Sequence, residues 1–221
     1  MDRAGAGADS FLIRTGLLGG SFNPAHRAHR KISLAAMAQL GLDEMWWLVS
    51  PGNPLKTGAA DMAPLAARLA SAKRIARHSR IRATALEAKL GTRYTVDTVR
   101  KLQQRYPNRR FVWVMGADIV AEMHRWRDWR RLARSIVIAV AVRPGYSGMA
   151  SASPAAAWLR RFVRTAGGDD WTRWRPPALV LLHLPPDPTS ATALRRADPD
   201  WHLQIPIPIS AQPPDPGGAT R

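Results

Sequence analysis

Short continuous apolar runs, each followed by a stretch of helical periodicity, constrain this chain more than any other feature. The runs cover 16–18, 45–49, 81–84, 111–115, 136–140 and 179–182 and are rich in β-forming residues. Several lack the polar alternation of a strand with one wet face, which suits strands buried on both sides in the middle of a parallel sheet. Amphipathic stretches lie near 28–40, 64–78, 95–106 and 154–166; in the first, Ile32, Ala35, Ala36 and Leu40 recur on one face. Parallel neighbours need crossover connections, so the pattern predicts an α/β fold. We expect a Rossmann-like, doubly wound, mostly parallel sheet in a single domain, with its site at the strands' carboxyl ends.

A chain of 221 residues is long enough to bury one substantial core. We expect the domain to run over 12–205, with 143–176 as an insertion mixing Gly, Ser and Pro with a short helical stretch. The polar, glycine-rich 1–11 and the Pro/Gly-rich 206–221 lack periodicity and are expected to be disordered tails. Cysteine is absent, which excludes disulfides, thiolate metal sites and a thiol nucleophile. No signal-peptide pattern is present, and no apolar run approaches the ~20 residues of a membrane helix, so a cytoplasmic protein without a membrane partner is expected. The formal charge is +17, yet only five of the 33 basic residues are Lys, and the arginines are spread without a dense block. A positive field serves an anionic small molecule as well as a nucleic acid, so charge alone separates these poorly.

The sharpest local signal follows the first run. Gly19-Gly20-Ser21-Phe22-Asn23-Pro24 leads to His26 and His29, three apart where a helix should begin. A strand that ends in glycines and feeds a helix N-terminus turns backbone N–H groups toward its guest, and phosphate is the natural one. Residues three apart share a helix face, so both imidazoles reach the same place. A second helix start follows the last run: Ser190 and Thr192 suit a cap, and Arg195 lies one turn in, offering hydroxyls and a guanidinium to another phosphate group.

Three more segments carry chemistry. Lys56-Thr57 is not a P-loop, because Leu55 stands where glycine must precede the lysine. Thr95 can cap the third long helix and leave N–H groups for a carboxylate, although plain capping accounts for it equally well. Gly116 and Asp118 close the fourth run, where an acid can accept hydrogen bonds from a ribose, and Trp126 downstream can stack on an aromatic base. Nine tryptophans dilute that last argument, and Trp46, Trp47 and Trp113 read as core residues.

Together, Gly-Gly-Ser-Phe-Asn-Pro with His-x-x-His, and Ser-Ala-Thr-x-x-Arg near the close of the chain, resemble the signatures of the adenylyl- and cytidylyltransferases. The usual form of the first is His-x-Gly-His, and Ala28 departs from it. With the Asn53-Pro54-Leu55-Lys56, Tyr94-Thr95-Val96-Asp97-Thr98 and Gly116-Ala117-Asp118 segments in order, the chain is similar to bacterial nicotinate-nucleotide adenylyltransferases. That resemblance implies ATP and nicotinate mononucleotide as substrates, deamido-NAD and pyrophosphate as products, and dependence on Mg²⁺. It implies that Gly19, Gly20, Ser21, Phe22, Lys56, Ser190 and Thr192 hold ATP. Tyr94, Thr95, Asp97, Gly116, Asp118 and Trp126 would then hold the mononucleotide.

With no cysteine and no Ser-His-Asp order, a covalent intermediate is not expected, and direct in-line displacement needs mainly positioning and charge neutralisation. His26, His29 and Arg195 are the candidate catalytic residues. Mg²⁺ would be held by phosphate oxygens and water, not by protein side chains. Sister transferases acting on phosphopantetheine or nicotinamide mononucleotide share the phosphate motifs. They stay open at this point, as do a basic nucleic-acid-binding protein and a paralogue that only binds nucleotides. Small-molecule substrates and no nucleic acid are expected.

Overall fold

A computed structural model describes residues 12–52, 61–142, 153–165, 170–185 and 187–205. The expected tails and Lys56 lie outside these residues, as do parts of the expected insertion. In chain order the elements are β1 (Ile13–Gly20), α1 (Arg27–Leu40), β2 (Glu44–Val49), α2 (Leu65–Ala76), β3 (Ile81–Thr84), α3 (Leu86–Leu90), α4 (Thr95–Arg105) and β4 (Arg109–Gly116). There follow α5 (Ala117–Glu122), α6 (Trp129–Ala133), β5 (Val137–Val142), α7 (Pro154–Leu159), β6 (Val163–Arg164), β7 (Leu179–His183) and α8 (Ala191–Ala197).

The strands form one sheet in the order β3-β2-β1-β4-β5-β7-β6, and every described pairing is parallel. This is the doubly wound α/β arrangement. The chain builds outward from β1 through β2 to β3, then returns to the other side of β1 and builds outward again through β4. The strand order therefore reverses between β1 and β4, where Leu17 pairs with Trp113 and Leu18 with Val114. In open α/β sheets such a reversal leaves a crevice at the carboxyl ends, because the loops on either side diverge to opposite faces.

Both faces of the sheet are covered, which explains the unbroken apolar runs. Leu17, Trp46, Leu48 and Trp113 face a core completed by Val99 and Leu102 of α4, Val120 of α5 and Leu159 of α7. Leu18, Trp47, Val49 and Val114 face the opposite core, with Met37 and Leu40 of α1 and Ala72 and Ala76 of α2. The neighbours Trp46 and Trp47 thus go to opposite layers, as the two-residue period of a strand requires. Helix α1 stops at Gly41, whose backbone is left-handed (φ 59°) and whose N–H donates to the Met37 carbonyl.

Two expectations need correcting, and three short helices were not expected. The helix expected over 154–166 ends at Leu159; the β-branched Val163 and its neighbour Arg164 instead add an edge strand beside Leu179 and Val180. Thr95 is the first helical residue of α4 and not its cap, since Tyr94 occupies the cap position with an extended backbone (φ −114°). The short helices α3, α5 and α6 gave no periodic signal, because five or six residues complete too few turns to show one.

Candidate active site

The glycine-ended strand and the helix after it meet at the reversal point. Gly19 is glycine for a packing reason: a Cβ there would sit 2.7 Å from Cη2 and 2.8 Å from Cζ2 of the buried Trp113 ring. Gly20 is different, since a Cβ would make ordinary contact with the Phe22 ring at 3.5 Å. Phe22 itself has a left-handed backbone (φ 49°), a costly state for an aromatic residue. Its side chain holds it there, stacked on Trp47 with ring centroids 5.1 Å apart and packed against His29 at 4.8 Å.

His26 is the N-cap of α1 and His29 is three residues in, with ring centroids 3.9 Å apart. The His26 backbone N–H donates to Nδ1 of His29 at 3.2 Å. That bond assigns the tautomer: Nδ1 accepts, so the neutral ring carries its hydrogen on Nε2 and offers it as a donor. Burial, with the nearby His26 charge adding to it, pushes the His29 pKa down to about 3, so the ring is neutral at physiological pH. The turn below it is braced by Ser33, whose hydroxyl donates to the His29 carbonyl at 2.9 Å and accepts from Nε1 of Trp47 at 2.8 Å. Ala28 is 5% exposed, so its methyl packs into the protein and does not project into the cleft.

The far end of the fold arrives at the same place. Arg195 Nη1 donates to the Asn23 carbonyl at 2.7 Å, and its Nε donates to Oδ2 of Asp61, also at 2.7 Å. Ser190 caps α8, accepting from the Ala193 N–H at 3.1 Å, and Thr192 lies exposed in the first turn of that helix. A second tie runs from α1 to the segment before α8. Arg27 Nε donates to the Thr189 hydroxyl at 2.7 Å, and Lys31 Nζ pairs with the buried Asp187 carboxylate at 2.8 Å. The Lys31 contact first, then the hydroxyl and amide of Thr189, hold Asp187 well below the ordinary carboxylate range. Arg195 thus meets the turn that leads into His26, and the Thr189 that Arg27 contacts sits just before the Ser190 cap.

The expected mononucleotide residues lie on the β4 side of the reversal point. Trp126 meets Trp113 edge-on, with centroids 6.4 Å apart and planes at 90°, so a single indole carries Gly19 on one contact and Trp126 on another. Gly116 ends β4, and the Asp118 carboxylate folds back so far that a Cβ at 116 would lie 2.4 Å from its Oδ1. Tyr94 packs beside this face with the Arg127 guanidinium 4.7 Å above its ring. Asp97 is the exception. Its side chain accepts from Arg100 Nη2 at 3.0 Å and turns to a separate hollow of about 150 Å³ with Arg131 and Ser135.

Asn23 belongs to the motif the sequence offered, but its role there and that of Arg68 were not singled out. Asn23 clamps the next segment, donating from Nδ2 to the Asp61 carbonyl at 2.8 Å and accepting from the Ala63 N–H at 3.2 Å. Arg68 lies on the buried stripe of α2, among Ala67, Ser71, Ala72 and Ala76. A charge at a position whose spacing demands an apolar residue was the available clue.

Residues 17–197 match the Cytidylyltransferase-like family. A curated "Probable nicotinate-nucleotide adenylyltransferase" of Erythrobacter litoralis (strain HTCC2594) is 61% identical over 194 residues, covering 87% of this chain and 88% of that protein. A protein of the same description from Cereibacter sphaeroides (strain ATCC 17025 / ATH 2.4.3) is 49% identical over 181 residues, 81% of this chain and 95% of its own. Among solved structures, the Plasmodium falciparum nicotinic acid mononucleotide adenylyltransferase complexed with NaAD superposes with a TM-score of 0.60, 17% identity and 83% coverage of each chain, a likeness of fold. The reversal-point sheet and these matches agree: the chain belongs to the nicotinate-nucleotide adenylyltransferase family of cytidylyltransferase-like nucleotidyltransferases.

Proposed function

We propose that the cleft between the carboxyl ends of β1 and β4 transfers the adenylyl group of MgATP to nicotinate mononucleotide, giving deamido-NAD and pyrophosphate. The observation that carries this reading is the convergence of Arg195 on the Asn23 carbonyl, 2.7 Å away, beside the paired imidazoles at the start of α1. The named activity of the relatives supports it. A phosphate oxygen of the mononucleotide attacks the α-phosphorus in line; the bond to the bridging oxygen of the β-phosphate breaks, and pyrophosphate leaves with that electron pair. No covalent enzyme intermediate is involved.

In this reading His29 donates from Nε2 as a neutral ring, and His26 and Arg195 neutralise charge gathering on the α-phosphate and the leaving group. Gly19, Gly20, Ser21 and Phe22 offer backbone to the triphosphate, and the hydroxyls of Ser190 and Thr192 hold further oxygens. Lys56, which follows β2 in the sequence, is assigned to the same nucleotide. Mg²⁺ enters as part of the substrate, carried by phosphate oxygens and water; a mouth of cations, hydroxyls and amides suits the phosphates, not the bare metal.

On the other side, Trp126 and Tyr94 flank the pyridine, Asp118 accepts from the ribose beside Gly116, and the N-terminus of α4 at Thr95 faces the nicotinate carboxylate. Asp97 would act there only by orienting that helix start, given its bond to Arg100. We assign this activity to a single domain over 12–205, acting in the cytoplasm on small molecules, with no nucleic acid as partner.

The test is direct. Purified protein with ATP and Mg²⁺ is offered nicotinate or nicotinamide mononucleotide, and pyrophosphate is followed over time. Release with the nicotinate substrate, well above that with the amide, is expected. Preference for the amide would move the protein to a sister activity, and no release with either would leave a nucleotide binder.

A further inference from the structure

The most unusual group near the cleft is one the reaction itself does not call for. Arg68 is 1% exposed, and among the described residues no carboxylate pairs with it. Its guanidinium is satisfied by main-chain carbonyls alone. Nε donates to Ala63 O at 2.8 Å, Nη1 to Ser21 O and Ser50 O at 2.7 Å each, and Nη2 to Pro51 O at 3.4 Å. These carbonyls belong to three separate segments: the loop after β1, the loop after β2 and the approach to α2. Burial pulls the group below the ordinary arginine range, yet a guanidinium remains a cation.

Peptide geometry gives this clamp a direction. In a trans peptide plane the C=O and N–H point opposite ways. A Ser21 carbonyl drawn inward to Arg68 therefore turns the Phe22 N–H outward. Likewise, a Pro51 carbonyl drawn inward turns out the N–H of Gly52, where a Cβ would meet nothing within 4 Å. One planar cation under the floor thus sets the facing of amides on two loops. Arg suits this because its fork is rigid and its five donors diverge in one plane, whereas a lysine ammonium is a single point on a flexible stem.

We propose that Arg68 is a positioning residue for the ATP half of the site, aiming the loop amides at the triphosphate and placing an unpaired positive charge beneath it. The proposal rests on the adenylyltransferase reading for its kinetic test but not for its binding test. A residue that only stabilised the fold would lower activity toward both substrates together, in step with the folded fraction. A residue that aims the ATP loops splits the two.

The experiment compares the wild type with R68Q, which removes the charge and most donors, and R68K, which keeps the charge and loses the fork. For R68Q we expect KM for ATP to rise at least ~10-fold while KM for the mononucleotide stays within ~2-fold, with R68K in between. Circular dichroism measures the folded fraction. In parallel, the rise in Tm on adding a non-hydrolysable ATP analogue with Mg²⁺ should be large for the wild type and reduced in R68Q. Equal losses toward both substrates, an unchanged KM for ATP, or failure of both variants to fold would each overturn the positioning role. If the wild type releases no pyrophosphate with either mononucleotide, the activity is wrong, and the analogue-induced Tm shift still decides the part played by Arg68.

Discussion

At the residue scale, His29 is defined by what it cannot be. Its Nδ1 is committed to the His26 N–H, and its pKa of about 3 keeps it uncharged. In the proposed reaction it would serve the phosphate as a fixed neutral donor, free of the reorganisation a mobile cation would need. His29→Ala should keep the fold and lower kcat by ~100-fold or more, the usual cost of one transition-state donor. Steady-state kinetics with a circular dichroism check would measure this, and unchanged turnover would remove His29 from the chemistry. The pairing of the two histidines was legible in the sequence, because residues three apart at a helix start share one face, and their rings do lie side by side. Arg68 and Asp61 were not. Arg68 left only its place on the apolar stripe of α2 as a clue, and an aspartate in a loop looks like solvated surface until the fold brings Asn23 and Arg195 against it.

At the scale of elements, the junction of α3 and α4 holds a buried acid. Glu87 Oε1 lies 3.2 Å from the Thr98 hydroxyl, which also lies 2.8 Å from Thr92 Oγ1 and 3.3 Å from the Tyr94 carbonyl. Thr98 can donate its one proton to the carboxylate while the Thr92 hydroxyl donates to Thr98 in turn, so the network tolerates Glu87 in either protonation state. Burial favours the neutral acid, raising its pKa to about 7 against the bond from Thr98 that favours the charged form.

The sign of the pH dependence follows. A carboxyl whose folded pKa exceeds its unfolded value of 4.5 gives its full stabilisation below pH 4.5 and loses it as pH rises through 7. E87Q keeps a donor and cannot ionise, so it should be about 1–3 kcal/mol more stable than wild type at pH 8, with the gain gone at pH 5. Urea unfolding at the two pH values would show it; a gain of equal size at both would mean that Glu87 is not protonated in the fold. The same cluster explains why the Tyr94–Thr98 segment was readable only as a helix start. Its hydrogen-bond partners at Glu87 and Thr92 lie on and just after a preceding helix too short to leave a periodic trace.

For the whole molecule, the decisive arrangement is the adjacency of β1 and β4 at the centre of the sheet. The parallel, doubly wound sheet follows from strand–helix alternation and continuous apolar runs, which the sequence shows; its strand order came only from the fold. The packing between the two substrate sides was not announced, because it depends on one indole. Trp113 fills the space that a side chain at Gly19 would occupy and braces Trp126 from its edge. Gly19→Ala therefore drives a methyl into an aromatic ring that has no room to retreat. We expect a loss of about 1–3 kcal/mol in stability, the range for overpacking a core. Among the molecules that fold, affinity for both substrates should fall, since the ring bears on both sides of the cleft. Calorimetry together with both KM values would check this; a change confined to one substrate would uncouple the two sides.

The contact between Arg195 and the Asn23 carbonyl spans 172 residues of chain. Under the proposed function, a growing chain folded only through β5 would carry both imidazoles without this guanidinium, so it would hold the nucleotide less well than a chain that includes α8.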